Sequence, residues 1–264
     1  MNLLLNKGGI FMDINRVLNF SSNAGKLMLQ SGGETYRVEE TISRICQSFN
    51  VDEVDVFATP TAVMVSVSIE GKVHSIVKRI KSRGVNLNKV HNINSLSRKV
   101  YVEKLTIDEC EEELEKLCRE DSYSKKTILF FSGMATATFT LLFGGDLNAI
   151  LASFIVGIIT KLVSVNLSKS CLNEFFINSI CGAVVAICSV VLLDIGIIKE
   201  MDKLIAGSIM LLVPGLALTN SIRDIIEGQL ISGLTKAAEA ILIGISIAGG
   251  TGVIIHLYLQ MGVM

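Results

Sequence analysis

Apolar and polar residues follow two different periods along the first 124 residues. Apolar side chains recur every three or four positions from Ile14 to Gln30 and again from Val38 to Phe49, which predicts two amphipathic helices. From Val63 to Ile69, Val or Ile stands at every second position, which predicts a half-buried strand. Gly71 then begins a tight two-residue turn, and Val73 to Ile80 is the predicted returning strand.

Short polar motifs mark where helices begin. Ser31 and Glu34 have the spacing of a capping box, as do Thr106 and Glu109, so a helix is predicted after each pair. A further helical pattern runs from Asn86 to Leu105. The first part of the chain is therefore predicted to be a small α+β domain with a short antiparallel sheet.

Beyond Lys126 the pattern loses its polar faces and consists of long apolar runs. Five of these runs are near the roughly 17–25 residues that cross the hydrocarbon core of a bilayer. The predicted spans are about Thr127–Phe143, Leu147–Leu167, Glu174–Ile198, Lys203–Leu218 and Ala237–Leu259. This part is therefore predicted to be an all-α, polytopic membrane domain of about five transmembrane helices.

The distribution of charge indicates the same division. The chain has 264 residues, of which half are hydrophobic and 19% are charged. Eighteen of its 24 Lys and Arg residues precede Thr127, as do 17 of its 25 Asp and Glu residues. We therefore predict an α+β domain in residues 1–124 and a transmembrane helical domain in residues 125–264.

Basic residues in the short loops predict the orientation of the spans. With the first domain inside, six Lys or Arg residues lie on the inner side and two, Lys199 and Lys203, on the outer side. Positive charge in short loops is concentrated on the cytoplasmic side of membranes. The N-terminal stretch has no sustained apolar region with a cleavage site, so an unprocessed leader to the first helix is expected. The prediction is a multi-pass protein of the cell (inner) membrane with a cytoplasmic N-terminal domain.

Small residues recur every fourth position along the fifth predicted span. They are Ala240, Gly244, Ala248 and Gly252. Such a spacing lets another helix approach the backbone closely. Because five spans make only a thin wall around a substrate route, self-association or a membrane partner is expected.

The polar stretch that follows the fourth predicted span is the first candidate for function. Proline removes a helix hydrogen bond, so Pro214-Gly215 predicts a break, and freed backbone groups at such breaks bind substrates in transporters. Arg223 can bind a carboxylate through two parallel hydrogen bonds, and Asp224 can balance it or bind an ammonium group. The candidate transport residues are Pro214, Gly215, Asn220, Arg223, Asp224 and Glu239.

A second candidate group lies in the first domain, after a glycine pair and around a proline. These residues are predicted to bind a ligand, or to dock the domain on the membrane part and gate it. They are Glu34, Tyr36, Arg37, Thr59, Pro60 and Thr61. A purely structural interpretation of each group stays open. The group in the first domain can be a capped, salt-bridged helix face, and the residues after Pro214 can be a cytoplasmic loop helix that follows a simple kink.

Other chemistry finds little support in the sequence. A net charge of −1 gives no reason to expect nucleic acid. The six cysteines form no C-x-x-C pair and the histidines lack metal-ligand spacing, so neither a disulfide framework nor a metal site is predicted. No phosphate-cradling glycine loop with lysine occurs, and no Ser/His/Asp or Cys/His set supports catalysis. The sequence therefore predicts no cofactor and no catalytic residues.

Six blocks of the chain together resemble the threonine/serine exporter family. They are Ser31–Ile45, Val54–Val63, Arg83–Arg98, Leu141–Asp146, Met210–Asp224 and Ile231–Ala240. The blocks cover nearly the whole chain and follow the family's order. Complete members resemble fusions of this architecture with a second, smaller set of spans, whereas this chain is similar to the longer component of the two-protein version linked to succinate export.

The resemblance implies export of small metabolites, with hydroxy amino acids and dicarboxylates as substrate types. It also implies a second small membrane protein of the same family as partner. Pro214, Gly215, Asn220, Arg223 and Asp224 match the family's signature, whereas Gln229 stands where an acidic residue is expected. If that acid couples transport to protons or binds an ammonium group, such a role is not expected here.

Three hypotheses follow for the function. The first is a transporter subunit in the lipid bilayer, which exports a small molecule together with its partner and is not an enzyme. The second is a membrane-anchored, hydrolase-like enzyme whose α+β domain acts on a soluble substrate. The third is a membrane sensor or scaffold whose first domain binds a metabolite.

Overall fold

The structure, a computed structural model, describes residues 4–6, 11–51, 53–119, 123–170 and 172–262. The chain divides into two compact units. The first unit contains Met1–Ser122 and Ala217–Ala237, and the second contains Tyr123–Leu216 and Ala238–Met264. The first boundary between the units, after Ser122, lies close to the predicted domain boundary at residue 124. Residues 217–237, by contrast, group with the first unit although the sequence predicts them in the membrane domain.

The helices of the first unit follow the predicted periodicity. They are α1 (Ile14–Gln30), α2 (Thr35–Ser48), α3 (Leu87–Glu103) and α4 (Ile107–Arg119), preceded by two short antiparallel strands, β1 (Leu4–Asn6) and β2 (Phe11–Asp13). At the start of α4, the Thr106 N–H donates to the Glu109 carboxylate (2.8 Å) and the Glu109 N–H to the Thr106 hydroxyl (3.4 Å). The capping box predicted there is confirmed.

The capping box predicted at Ser31 is wrong. Ser31 ends α1, because its N–H donates back to the Leu27 carbonyl oxygen (3.1 Å), and Gly32 follows with a φ of +89°. A positive φ suits glycine and turns the chain sharply. Glu34 precedes α2 but makes no side-chain capping bond. The N-terminus of α2 is therefore capped from elsewhere.

The sheet is antiparallel, with strand order β3-β4-β5. Its strands are β3 (Glu53–Thr59), β4 (Ala62–Ile69) and β5 (Lys72–Arg79). The β4–β5 hairpin is confirmed, but its turn residues are Glu70 and Gly71, not Gly71 and Lys72. Both have positive φ, 50° and 76°, as a type I′ turn requires.

The core of the first unit lies between the sheet and the helices. Val63, Val65 and Val67, the inward residues of β4, are buried at 0–1% exposure. They share one apolar cluster with the inner faces of α1 to α3. Gly25 of α1 lies so close to Ile42 of α2 that even a methyl group would displace the isoleucine. This packing holds α2 closely against α1.

The second unit is helical throughout its described residues. It contains α5 (Lys125–Leu142), α6 (Leu147–Leu167), α7 (Glu174–Asp194) and α8 (Met201–Ile209), whereas α9 (Gly215–Ile226) and α10 (Leu230–Gly262) belong partly to each unit. In the described chain, α6, α7 and α10 are long and apolar enough to cross a membrane. With the first unit, they make the described part of the chain mostly helical, with a small three-stranded sheet, a two-stranded sheet and three candidate membrane spans.

The fourth predicted span is not one helix. It forms two short helices, α8 and α9, with Met210–Pro214 outside either helix. The break predicted at Pro214-Gly215 is thus present, with Gly215 as the first residue of α9. Proline cannot donate a backbone hydrogen bond, which accounts for a helix that starts directly after it.

The predicted small-residue seam of α10 is not the face that packs on α7. Within the described chain, a Cβ added at Gly244 or Gly252 would meet nothing within 4 Å. A Cβ at Gly250 would instead overlap the carbonyl oxygen of Ser179 in α7, and one at Gly182 would lie 2.7 Å from the Ile247 carbonyl oxygen. The α7–α10 contact therefore uses Gly182 and Gly250, as small residues do in membrane helix pairs.

Candidate functional site

The candidate site is built by Ala217–Ala237, here called the docking segment, against the start of α2. The segment comprises most of α9, the turn at Glu227–Gln229 and the first residues of α10. One face of α9 is polar and buried, with Asn220, Ser221 and Asp224 at 8% exposure or less. This segment belongs to the first unit, so its polar residues contact α2 and the end of β3.

Asp224 caps α2 from 189 residues away in sequence. One oxygen of its carboxylate accepts from the Thr35 N–H (3.2 Å), and the other accepts from the Thr35 hydroxyl (2.9 Å). Asp224 and Thr35 are both fully buried. A carboxylate is favoured at a helix N-terminus, where backbone N–H groups lack partners and the helix dipole is positive. The bond that Glu34 does not make is therefore supplied by Asp224.

Lys236 completes this buried cluster. Its ammonium group lies 2.7 Å from the Asp224 carboxylate and 3.2 Å from the Thr35 hydroxyl. The Lys236 side chain is 9% exposed. Removing one partner of a buried ion pair typically costs about 3–5 kcal/mol, because the other charge stays buried. The pattern of the sequence indicated Lys236 only as a basic loop residue, since nothing in its spacing points to Thr35.

Glu39 ties α2 to both the sheet and the docking segment. Its carboxylate accepts from the Ala58 N–H (2.9 Å) and from the Gln229 side-chain amide (2.7 Å). Burial raises the pKa of the Glu39 carboxyl above its ordinary value of 4.5, and these two hydrogen bonds oppose the rise. Gln229, the residue that departs from the family pattern, is thus a neutral donor to an acidic residue.

Two further hydrogen bonds reach from the docking segment to the backbone of the domain. The Asn220 amide donates to the Gly32 carbonyl oxygen (3.1 Å), and the Ser232 hydroxyl donates to the Ala58 carbonyl oxygen (3.2 Å). Both donors are buried. Asn220 therefore anchors α9 on the glycine turn before α2, where a side chain on Gly32 would be strained.

Two arginines share one carboxylate at the edge of this interface. Arg223 approaches one oxygen of Glu34 (3.1 Å), and Arg37 approaches the other (3.3 Å). Both guanidinium carbons lie within 6.0 Å of the centre of the Tyr36 ring, at cation–π distance. The Arg223 side chain is 51% exposed and that of Arg37 33%, whereas that of Glu34 is only 13% exposed. We call these four residues the arginine cluster.

The structure thus brings together residues from both predicted groups. Arg223, Asp224 and Asn220 contact the turn and helix that carry Glu34, Tyr36 and Arg37. The predicted residues at the β3–β4 turn are held locally: the Thr59 hydroxyl accepts from the Ala62 N–H (3.1 Å) and lies 3.3 Å from the Thr61 hydroxyl, beside the buried Pro60. This turn contacts the docking segment through the neighbouring Ala58 carbonyl group.

The remaining predicted residues lie in the second unit. Pro214 stands in the stretch between α8 and α9, and Gly215 begins α9. Glu239 lies in α10, two residues after the docking segment ends. These three residues are outside the unit that holds Asn220, Arg223 and Asp224.

Comparison with known proteins identifies the family of this chain. The family model described as "Putative threonine/serine exporter" (ThrE) matches residues 19–258. The chain therefore belongs to the threonine/serine exporter family. No solved structure gives a significant match to it.

Three relatives illustrate the range of names in this family. The chain is 22% identical to a "Probable succinate transporter subunit" of Klebsiella aerogenes over 82% of this chain and 84% of that protein. It is 22% identical to the protein of that name from Escherichia coli, over 86% of this chain and 88% of the relative. It is 23% identical to the "Probable threonine/serine exporter" of Mycobacterium tuberculosis over 89% of this chain, but only 45% of that protein.

Proposed function

We propose that this chain is an inner-membrane transporter subunit that exports small carboxylate metabolites, either hydroxy amino acids or dicarboxylates such as succinate. Membership of the exporter family and the three candidate spans support transport across a membrane. The names of the relatives support these two substrate types. On this proposal the chain moves a solute and is not an enzyme.

The proposed topology places the α+β domain, about residues 1–124, in the cytoplasm and gives the chain five crossings in residues 125–264. The crossings are α5, α6, α7, residues 203–218 around the break before α9, and the part of α10 that follows the docking segment. The six-to-two bias of basic residues supports this orientation. Pro214 and Gly215 at the helix break, together with Glu239 in α10, are the proposed transport elements within the membrane.

The proposed partner is a second small membrane protein of the same family. Two relatives of nearly the same length are called subunits, which supports an assembly of more than one chain. The M. tuberculosis relative is about twice as long as the matched region, which leaves room for a fused second part. Homo-oligomers of the chain are compatible with the same assembly.

The arginine cluster is the observation that supports a carboxylate substrate. Arg223 and Arg37 present two positive charges, only one of which Glu34 balances, and both side chains are partly exposed. Guanidinium groups bind carboxylates with two parallel hydrogen bonds, and such charge-assisted bonds are among the strongest in proteins. The proposal therefore assigns substrate recognition to Arg223, with Arg37 as a second cation.

Transport in vesicles tests the proposal. Vesicles that contain the chain and a candidate partner are loaded with labelled threonine or succinate, and efflux is measured. We expect efflux that requires both proteins and that falls at least about tenfold in Arg223→Ala, since a charge-assisted bond contributes about 1.5–3 kcal/mol.

Arg119→Ala is the matched control. Arg119 lies on α4 of the same unit and forms an exposed ion pair with Glu115 (3.0 Å), so its loss leaves efflux unchanged. Unchanged efflux in Arg223→Ala would contradict the role of Arg223. Absence of efflux of either solute from vesicles that contain both folded proteins would contradict the transport function.

A cleft between α1 and α4 favours sensing as a second candidate function. Its volume is about 370 Å³, and Lys26, Gln30 and Glu111 line it together with the apolar Phe20 and Leu114. Charges of both signs over an apolar floor suit a small zwitterion such as an amino acid. Binding of threonine that Lys26→Ala abolishes, without any effect on efflux, would separate sensing from transport.

A further inference from the structure

Glu34 occupies the position that a solute carboxylate needs in order to reach both arginines. Its two oxygens are divided between Arg223 and Arg37, and its side chain is the least exposed of the three. We propose that Glu34 is a built-in surrogate for the solute: a small dicarboxylate that binds the two arginines displaces Glu34 and loosens the docking segment from α2. This inference rests on the proposed function, because it takes the solute to be a carboxylate.

The donors of the two arginines are incompletely used. A guanidinium group has five N–H donors. Arg223 and Arg37 each approach Glu34 through a single nitrogen, at 3.1 and 3.3 Å. A free carboxylate that approaches from the exposed side can form the parallel, two-bond arrangement that Glu34 does not form with either arginine. An incoming carboxylate can therefore compete with the internal one.

Glu34 can leave without unfolding α2. Although it occupies the capping position of this helix, its side chain makes no capping bond. Asp224 caps Thr35 instead, and Lys236 neutralises Asp224. Displacement of Glu34 therefore breaks one tie between α2 and α9, the one to Arg223, while the buried cluster still holds the two elements within reach. The release is reversible for that reason.

The charge balance selects the class of solute. With Glu34 in place, the cluster carries two positive charges and one negative charge. Once Glu34 is displaced, two positive charges face the solute, which matches the two carboxylates of a dicarboxylate. A hydroxy amino acid carries one carboxylate and one ammonium group, and the ammonium group would be repelled by the second arginine. Glu34 displacement therefore favours dicarboxylates over amino acids.

Binding to the purified full-length chain in lipid nanodiscs tests this inference. Dissociation constants for succinate and threonine are measured by calorimetry for the wild type, Glu34→Gln and Glu112→Gln. We expect Glu34→Gln to bind succinate about tenfold more tightly or better, because the competing carboxylate is gone, with a smaller change for threonine. Glu112→Gln removes a carboxylate from an exposed pair with Lys116 in the same unit, away from the α1–α4 cleft, and leaves both constants unchanged.

Amide hydrogen exchange gives a second, independent readout. Succinate should speed exchange of residues 218–229 in the wild-type chain, since the tie between Glu34 and Arg223 is lost. In Glu34→Gln the same amides should exchange fast already, without further change on adding succinate. This readout on the wild type decides the question even if the Gln variant does not fold.

The outcomes separate the two proposals. Efflux of succinate by the wild type, with unchanged or weaker binding to a folded Glu34→Gln chain, overturns the surrogate role and leaves the transport function intact. Succinate binding that leaves exchange of residues 218–229 unchanged overturns the release of the docking segment. If neither succinate nor threonine binds to folded wild-type or variant chains, the surrogate role fails together with the carboxylate substrate.

Discussion

In the first unit large aliphatic and aromatic side chains fill the interior, whereas in the second unit the largest apolar side chains point outward. Ile14, Phe20 and Ile42 are buried in the first unit at 0–1% exposure. In the second unit Phe131 and Leu151 are 63% and 60% exposed. The buried residues of α5 are instead small or hydroxylated: Ser132, Gly133, Thr136 and Thr140.

This difference reflects the solvent that each unit suits. Water drives large apolar side chains inward, but lipid tails are as apolar as leucine and give no such drive. Close backbone approach and hydrogen bonds between helices then become important, as in the bond from the Thr136 hydroxyl of α5 to the Ser153 carbonyl oxygen of α6 (2.7 Å). The first unit also buries an ion pair, which the docking segment contributes.

The largest expected effect comes from breaking that ion pair. Lys236→Ala leaves Asp224 buried without a counter-charge and should lower the free energy of unfolding of the first unit by about 3–5 kcal/mol. Thermal unfolding of the full chain in nanodiscs measures the loss. The double variant Lys236→Met/Asp224→Asn removes both charges and should recover most of this lost stability, since the asparagine oxygen still accepts from Thr35.

Lys116→Ala is the control for this pair. Lys116 forms exposed ion pairs with Glu112 and Glu113 on α4, and its loss should leave the free energy of unfolding nearly unchanged because water screens these pairs. Equal stability losses in Lys236→Ala and Lys116→Ala would show that the buried pair stabilises the unit no more than the exposed pairs do.

Truncating one large apolar side chain in each unit tests whether such side chains are buried in the first unit and exposed in the second. Ile42→Ala creates a cavity in the core of the first unit and should cost roughly 2–5 kcal/mol. Leu151→Ala shortens a side chain that is 60% exposed, so its cost should stay within about 0.5 kcal/mol in nanodiscs. A large loss in Leu151→Ala would mean that this face of α6 is packed against protein rather than lipid.

Glycine substitutions distinguish the two faces of α10. Gly250→Ala forces a methyl group against the Ser179 backbone and should destabilise the second unit by about 1–3 kcal/mol. Gly244→Ala meets no atom of the described chain and should be neutral, or stabilising by up to about 1 kcal/mol because alanine is the better helix former. The reverse order in unfolding experiments would place the α7 contact on the other face.

The smallest effect concerns the pH dependence that Glu39 gives the first unit. Because the pKa of Glu39 is raised in the folded protein, folding takes up a proton between pH 4.5 and that higher value. Stability contributed by Glu39 is therefore highest below pH 4.5 and falls as pH rises through this window. Glu39→Gln should remove this decline, since its amide oxygen can still accept from the Ala58 N–H and its NH2 group can donate to the Gln229 side-chain oxygen once that amide is turned over. An unchanged pH profile would exclude Glu39 as its source.

Local pattern predicted most helices and strands but none of the contacts that build the site. The period of apolar residues located α1 from Ile14 to Gln30 because one face of that helix is buried. Asp224 and Thr35 are 189 residues apart, and no local pattern reports such a pairing. Ser31 was misassigned because a serine three residues before a glutamate also fits the end of the preceding helix.

The face of α10 that packs on α7 was not identified from the pattern, for a related reason. Small residues occur on more than one side of this helix, including both the predicted Gly244 and the observed Gly250. In a helix of almost uniformly apolar composition, periodicity cannot distinguish the side that meets a neighbour from the side that meets lipid. The candidate residues Arg223 and Asp224 were found because charge is rare in such surroundings.

The cap that Asp224 places on α2 has a consequence for biosynthesis. A ribosome makes Thr35 early, but the carboxylate that completes its helix is polymerised only after α5 to α8. Until residues 217–237 emerge, the N-terminus of α2 in the nascent α+β unit lacks the carboxylate that caps it. The ion pair between Asp224 and Lys236 cannot yet form. Maturation of this unit must therefore wait for the four helices, α5 to α8, that are translated in between.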